Sequence, residues 1–159
     1  MSDRRLRIRP ALAADLDAVR RLFRAYADWL QAEVCLADFE AELAGLPGAY
    51  APPAGGLWLA VERGRALGVV ALRPLNEPGA CEIKRLYVAP QGRGRGLGKG
   101  LLGACLEGAR ARRCKLVYLE TLSARMPEAE RLYRAAGFVD SEPYREDRSP
   151  EVRCLALSL

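Results

Sequence analysis

The residues best placed to do chemistry form a glycine-rich segment past the middle of the chain. From Gln91 to Gly100 every second residue is a glycine, and Arg93, Arg95 and Lys99 lie between them. Glycine lets a backbone approach a ligand closely and adopt positive φ at little cost. Apolar residues before and after the segment indicate a strand and a helix, and the free N–H groups and dipole of a helix start favour an anion. The segment therefore predicts a site for a phosphorylated ligand.

Three phosphate-binding motifs compete for this segment. The nucleotide P-loop places Ser or Thr after its Gly-Lys pair, whereas Gly100 follows Lys99 here. A dinucleotide-binding fold has G-x-G-x-x-G after its first strand and an acidic residue roughly 20 residues later, which fits neither the spacing nor the position of these glycines. The third pattern, R/Q-x-x-G-x-G/A, is met by Arg93 to Gly98, and in a shifted register by Gln91 to Gly96.

With this third pattern the chain resembles the GNAT superfamily of N-acetyltransferases. Residues Glu82 to Pro90 look like the family's central strand, and Leu132 to Phe138 look like its later motif at a helix end. The order of elements is also similar to that of the family. The resemblance implies a single N-acetyltransferase domain over residues 1–159, with a mixed, mostly antiparallel sheet, helices on both faces and one splayed parallel strand pair.

The resemblance also implies acetyl-CoA as co-substrate, lying in a wedge between the strands Cys81–Val88 and Leu116–Leu122. Loop amides would bind the pyrophosphate, and the first of these strands would pair with the pantetheine arm as with an added strand. An N–H near Val88 would polarise the thioester carbonyl. The cofactor-binding residues expected on this basis are Leu86, Tyr87, Val88, Arg93, Gly94, Arg95, Gly96, Leu97, Gly98 and Lys99.

Acetyl transfer to an amine sets two protonation tasks, because the ammonium must lose a proton and the departing thiolate must gain one. Tyr133 matches the family's general acid, and a phenol with an ordinary pKa of about 10 is protonated at neutral pH; the alternative is an aromatic that only packs. Glu82 is the candidate base, directly or through water, and its alternative is a surface glutamate paired with Lys84. Glu120 on the neighbouring strand is a second candidate, and an amine that arrives deprotonated needs no base.

One position departs from the family pattern. Many members carry an asparagine just after the strand equivalent to Leu116–Leu122, where it contacts the cofactor. This chain has Thr121-Leu122-Ser123-Ala124 there, and Ser123 substitutes only in part. Because backbone groups carry most of the binding, we expect the cofactor to bind, whereas the departure leaves the detailed position of the thioester open. The departure keeps open an alternative function, an acyl-CoA-binding sensor or regulatory module without turnover.

The composition excludes several classes of chemistry. Half of the 159 residues are hydrophobic and 28% are charged, the balance of an ordinary soluble globule. There is no histidine, which removes Ser-His-Asp hydrolases, Cys-His nucleophiles and histidine-ligated metals, and we expect no metal. The cysteines are odd in number and never spaced C-x-x-C, so we expect them to be small buried hydrophobes. They are Cys35, Cys81, Cys105, Cys114 and Cys154.

The charge of the chain bears on its partners. The net charge is +5, and the one local basic cluster, Lys84, Arg85, Arg93 and Arg95, adjoins the glycine segment. Scattered arginines elsewhere favour an anionic small molecule over nucleic acid. We expect the acceptor to be the amine of a small molecule or of a peptide or protein. A further hypothesis, prompted by the basic charge, is an aminoacyl-tRNA or a protein N-terminus.

Other patterns concern location and assembly. No apolar run approaches the roughly 20 residues that span a bilayer, and no signal-peptide core follows the first residues. We therefore expect a cytoplasmic location without a membrane partner. A final strand that reaches Leu159 could pair across a homodimer.

Hydrophobic periodicity predicts the elements that position these residues. The strands expected are Leu6–Arg9, Leu57–Val61, Ala66–Leu72, Cys81–Val88, Leu116–Leu122 and Val152–Leu159. The helices expected are one capped by Asp15 and running to Leu30, one over Leu36–Leu46, one after the glycine segment and one over Pro127–Ala136. The third helix has an inner face of Leu97, Leu101, Leu102, Cys105, Leu106 and Ala109.

Overall fold

The computed structural model describes residues 4–30, 36–145 and 151–159, so Cys35, which was expected to be buried, lies outside the described residues. Within them a seven-stranded sheet has the order β1-β2-β3-β4-β5-β7-β6. The strands are β1 (Arg7–Pro10), β2 (Gly56–Glu62), β3 (Arg65–Pro74), β4 (Ala80–Val88), β5 (Leu116–Thr121), β6 (Val139–Asp140) and β7 (Arg153–Ser158). Only β4 and β5 are parallel neighbours, and the other neighbouring strands are antiparallel. The mixed, mostly antiparallel sheet is thus confirmed.

Two helical layers cover the sheet. The helices are α1 (Leu16–Leu30), α2 (Leu36–Ala44), α3 (Leu97–Ala111) and α4 (Pro127–Ala135). Val19, Phe23 and Leu43 from α1 and α2 pack with Leu59 and Val69 of the sheet. On the opposite face α3 buries its whole expected inner face. Burying apolar surface on both sides stabilises the sheet between the two layers.

The local turn chemistry explains where several elements meet. Arg63 and Gly64, with φ of 53° and 73°, form the two-residue turn between β2 and β3, so these two strands form a β-hairpin. Gly137 has a φ of 106° after α4, and the N–H of Phe138 donates to the Tyr133 carbonyl at 3.1 Å. This closes α4 as the sequence predicts and fixes the end that carries Tyr133.

Two details differ from the sequence-based expectation. Asp15 lies in a 3₁₀ turn before α1, and its carboxylate accepts the N–H of Leu12 at 2.7 Å and contacts Arg9 at 2.7 Å. It therefore caps the turn rather than α1. The two-residue strand β6 was not expected, because it is too short for a periodic pattern.

A fork between β4 and β5 is the feature that shapes the functional region. The two strands pair only through Ala80–Leu116, Cys81–Val117 and Glu82–Tyr118. Arg85 has a φ of 61° and marks a shift in the β3–β4 register. Ile83 packs on the α3 side, whereas Tyr87, four residues later, packs on the α1 side. A bulge thus reverses the side-chain alternation and accompanies the separation of β4 from β5.

Candidate active site

The glycine segment forms a loop that requires glycine for its backbone conformation. After a 3₁₀ turn over Pro90–Gly92, Gly94 and Gly96 have φ of 74° and 76°. A Cβ at either position would meet nothing within 4 Å, so the positive φ and not crowding explains the glycine. Gly96 is the N-cap of α3 and provides no side-chain cap. The first N–H groups of this helix are therefore suited to an anionic ligand.

A large cleft of about 610 Å³ lies between the end of β4, the glycine loop and the start of α4. This volume is within the range of about 300–1,000 Å³ for ligand sites. Nine of the ten expected cofactor-binding residues line it, namely Leu86, Tyr87, Val88, Arg93, Gly94, Gly96, Leu97, Gly98 and Lys99. The tenth, Arg95, is not among the lining residues and pairs with Glu62 at 2.7 Å. The structure thus brings all but one of them together.

Positive charge dominates the large cleft. Its lining holds four cations, Arg93, Lys99, Arg125 and Arg131, and one carboxylate, Glu128. The Nε of Arg93 donates to the Val88 carbonyl at 3.1 Å, and its guanidinium lies 5.6 Å from the Trp29 ring centroid and 5.9 Å from that of Tyr87. This contact holds Arg93 at the end of β4 by a cation–π interaction. The cleft is complementary to a polyanion.

Tyr133 lies buried on α4, with its ring edge-on to Phe138 at 5.9 Å. Burial raises the pKa of Tyr133, with smaller contributions from Tyr26 and Cys105, so the phenol is protonated at neutral pH. Tyr133 is not among the residues that line the large cleft described above. Tyr133 therefore both packs in the core and keeps a proton to donate.

A small cleft of about 140 Å³ lies beside the fork. Its walls come from α1, β4, the end of β5 and the segment before β7. The lining residues are Tyr26, Leu30, Glu82, Ile83, Lys84, Arg85, Glu120, Thr121, Leu122, Met126, Arg145 and Val152. Met126 also lines the large cleft, so the two clefts meet at this side chain.

Glu82 is a buried member of an ion-pair network, which sequence reasoning did not anticipate. It is 1% exposed, its Oε1 accepts Arg73 Nε at 2.6 Å, and its Oε2 accepts the Tyr144 hydroxyl. The alternative of a surface glutamate paired with Lys84 is wrong. Arg73 is the register partner of Glu82 on β3, but Tyr144 lies 62 residues away in sequence and gave no local signal.

Glu120 differs from Glu82 in having an unpaired oxygen. Its Oε1 lies 2.5 Å from Arg145 Nε, and its side chain is 13% exposed. Its Oε2 and the neighbouring Thr121 Oγ1 are buried and, in the described part of the chain, have no hydrogen-bond partner. Buried polar groups are nearly always hydrogen-bonded. Both atoms are therefore candidates to contact a ligand in the small cleft.

Similarity to known proteins agrees with this arrangement. Residues 16–138 match the sequence model of the acetyltransferase (GNAT) family. The chain belongs to this family. An uncharacterized N-acetyltransferase of Schizosaccharomyces pombe is 36% identical over 149 residues, which cover 93% of this chain and 91% of that protein. The chain is thus an acyltransferase of the GNAT type.

Solved GNAT structures share the fold. A GNAT-family acetyltransferase from Staphylococcus aureus has a TM-score of 0.82 at 17% identity, covering 97% of this chain and 99% of that one. The PaiA N-acetyltransferase of Thermoplasma acidophilum, solved in complex with coenzyme A, has a TM-score of 0.77 at 16% identity, covering 98% and 99%. These similarities confirm the GNAT fold.

The GNAT asparagine position has a different environment here. Ser123 lines neither the large cleft nor the small one, but a third cleft with Asp140, Ser141 and Arg153. Ser123 was expected to replace the asparagine in part as a cofactor contact. Because Ser123 does not line the large cleft, no contact there supports this role.

The described residues also bear on two other classes of site. They contain no group of three or more Cys, Asp or Glu side chains placed to hold a metal ion. Their helices include none with the length and apolar character needed to cross a bilayer. Cys81, Cys105 and Cys154 are buried and Cys114 is half-buried, and none of these four forms a disulfide with another described residue.

Proposed function

We propose that this GNAT protein transfers the acetyl group of acetyl-CoA directly to a primary amine, without a covalent enzyme intermediate. The observation that carries the proposal is the meeting of the two clefts at Met126, beside the β4–β5 fork. The large cleft has the glycine loop and mostly cations, whereas the small cleft has the carboxylates Glu82 and Glu120 beside its own cations. A thioester held in the first would therefore meet an amine held in the second.

Backbone groups at the end of β4 and in the glycine loop would hold acetyl-CoA. Beyond Glu82, β4 has no pairing with β5, so one edge of residues 86–88 is available to the pantetheine arm, as in β-augmentation. The loop amides of residues 93–98 would bind the pyrophosphate at the start of α3, and Lys99 would add charge. Arg95 would contribute only by leaving Glu62.

Tyr133 would supply the proton for the departing sulfur. Its raised pKa keeps the proton on the phenol until a thiolate forms beside it. One ammonium proton is lost to a base, and hence to solvent, before attack. The second leaves the nitrogen as the C–N bond forms and the C–S bond breaks, which balances the proton gained by sulfur.

Two carboxylates are candidates for the amine side. Glu82 already accepts a hydrogen bond on each oxygen, so an ammonium would have to share an oxygen with Arg73 or Tyr144. Glu120 Oε2 accepts none. We therefore propose Glu120 as the carboxylate that receives the amine proton, with Glu82 holding Arg73 and Tyr144 beside it.

The test is release of free thiol from acetyl-CoA. The protein is incubated with acetyl-CoA and a panel of primary amines, and free thiol is followed against a control without amine, which reports hydrolysis. We expect amine-dependent thiol release. Tight coenzyme A binding in calorimetry with no thiol release from any amine would instead support the alternative, an acyl-CoA-binding module without turnover.

A further inference from the structure

The charges of the small cleft are balanced except at one lysine. Four of the charged residues that line this cleft form ion pairs. Arg145 pairs with Glu120 at 2.5 Å within the lining, and Arg73 and Glu42, outside the lining, pair with Glu82 at 2.6 Å and with Arg85 at 3.0 Å. Lys84 has no ion-pair partner within the residues that the structure describes. The lining so described therefore carries one unneutralised positive charge.

The environment of Lys84 is uncommon for a cation without an ion-pair partner. The side chain is half-buried in the cleft wall, and burial, with a smaller effect from Arg85, lowers the pKa of Lys84. Removing a charge from water is unfavourable unless an opposite charge or hydrogen bonds compensate for it. A ligand carboxylate would supply that compensation, whereas a second ligand cation would be repelled.

The lysine and the unpaired carboxylate oxygen belong to the two different strands of the fork, and both residues line the small cleft. Glu82 and Tyr118 are the last paired residues of β4 and β5. Lys84 and Glu120 lie two residues further along their strands, at equivalent positions where the strands have separated. Because side chains two residues apart share a strand face, both belong to the side of the sheet that bears Glu82 and Tyr118. One wall thus offers a cation and the other an unpaired carboxylate oxygen.

We propose that the acceptor is a small amine that also carries a carboxylate, with its ammonium at Glu120 Oε2 and its carboxylate at Lys84. This inference rests on the proposed function and specifies its acceptor. The cleft volume of about 140 Å³ suits a molecule smaller than an ordinary drug-sized ligand, for which sites are about 300–1,000 Å³. The hydroxyl of Thr121 remains available to a further polar group of the acceptor.

The experiment compares matched acceptors on the intact protein. Values of kcat/KM are measured with alanine, its amide alaninamide and its decarboxylated analogue ethylamine. Aspartate and glutamate are compared in the same way with their α-carboxamides. We expect each free acid to exceed its amide and the decarboxylated amine by roughly ten-fold or more, the range of a charge-assisted hydrogen bond. An amide group makes the neighbouring amine less basic, which favours its unprotonated form, so the intrinsic reactivity works against the expected preference.

Matched lysine variants separate recognition from general damage. Lys84→Gln is expected to lower kcat/KM for the free acids by roughly ten- to hundred-fold, and to leave ethylamine within about two-fold. Lys84→Arg should retain part of the preference. Lys115→Gln is the control, because Lys115 is exposed and lines neither cleft. Coenzyme A affinity, measured by calorimetry, should be unchanged in all three variants.

The outcomes distinguish the two proposals. Equal kcat/KM for acids and amides in the unaltered protein would overturn the acceptor class and leave the acetyltransferase function standing. Equal losses for acids and ethylamine in Lys84→Gln would reduce Lys84 to a structural role and overturn it as well. No thiol release with any amine would contradict the proposed function and the acceptor class together.

Discussion

Tyr133 combines packing and chemistry in one side chain. Its ring packs against Phe138, and the pKa of its hydroxyl is raised by burial and, to a smaller extent, by Tyr26, which lines the small cleft. The short motif around Tyr133 was sufficient to single it out from the sequence. Its burial is a tertiary property, because it depends on α4 closing over the sheet.

Tyr133→Phe keeps the ring and removes the proton. We expect kcat to fall about 100-fold or more, since general acid catalysis contributes about 10²- to 10⁴-fold. Coenzyme A affinity should change less than about two-fold, which is about 0.4 kcal/mol at roughly 1.4 kcal/mol per decade. Thiol-release kinetics and calorimetry measure the two effects. Equal losses of turnover and affinity would assign Tyr133 a packing role only.

The two carboxylates of the small cleft should differ in what their substitution by glutamine affects. Glu82→Gln should mainly lower stability, whereas Glu120→Gln should mainly lower kcat/KM. Glu82→Gln replaces a charge that is 1% exposed and bound to Arg73, so we expect a loss of about 1–3 kcal/mol in the free energy of unfolding. Glu120→Gln affects a pair whose arginine is 46% exposed, and should cost less than about 1 kcal/mol. It should lower kcat/KM more than Glu82→Gln does. Urea denaturation and thiol-release kinetics test this; the reverse order of kcat/KM losses would make Glu82 the base.

At the scale of elements, periodicity was sufficient for most helices and strands but not for the fork. The inner face of α3 follows from its apolar spacing, and every member is buried. Arg85, in contrast, lies inside a continuous strand pattern, and nothing in that pattern indicates a positive φ at a residue other than glycine. The bulge depends on tertiary contacts, namely Glu42 on α2 and the Phe39 ring 5.4 Å away. The partners of Glu82 could not be predicted from the sequence pattern for the same reason, because they depend on tertiary contacts.

The conformation of the glycine loop gives a prediction for one element. Gly96→Ala places a side chain at a φ of 76°, which costs roughly 1–2 kcal/mol for an L-residue. We expect the loop to shift and coenzyme A affinity to fall. Gly103→Ala is the matched control, because Gly103 lies exposed within α3 with nothing within 4 Å of an added Cβ.

The two alanine variants are compared by thermal denaturation and calorimetry. Alanine in a helix interior is about 0.5–1 kcal/mol more favourable than glycine, so Gly103→Ala should stabilise the fold and leave affinity unchanged. Full coenzyme A affinity in Gly96→Ala would show that the left-handed backbone at this residue is not needed for the ligand.

At the scale of the whole molecule, the site is shared between two parts of the sheet. Strands β1 to β4 form one run of antiparallel neighbours, and β5, β7 and β6 form another, joined only by the short β4–β5 pairing. The glycine loop follows the first run, whereas Glu120 and α4 belong to the second. The sequence indicates both groups of residues separately. Periodicity does not place them on either side of a fork; the resemblance to the GNAT family implied the splayed strand pair, and the strand order shows it.

The charge distribution predicts how salt affects coenzyme A binding. Four cations and one carboxylate line the large cleft, and the chain as a whole carries a net charge of +5. Electrostatic attraction between partly exposed charges weakens as the screening length falls from about 10 Å at 0.1 M salt to about 3 Å at 1 M. We expect the Kd for coenzyme A to rise roughly ten-fold over that range, a loss near 1.4 kcal/mol. Calorimetric titrations at constant pH measure this change in Kd, with uncharged pantetheine as the control that should respond weakly.

Lys99→Gln should weaken coenzyme A binding at low salt and reduce the dependence of Kd on salt. A Kd independent of salt would mean that uncharged backbone donors alone bind the phosphates, and that the cations of this cleft serve another purpose.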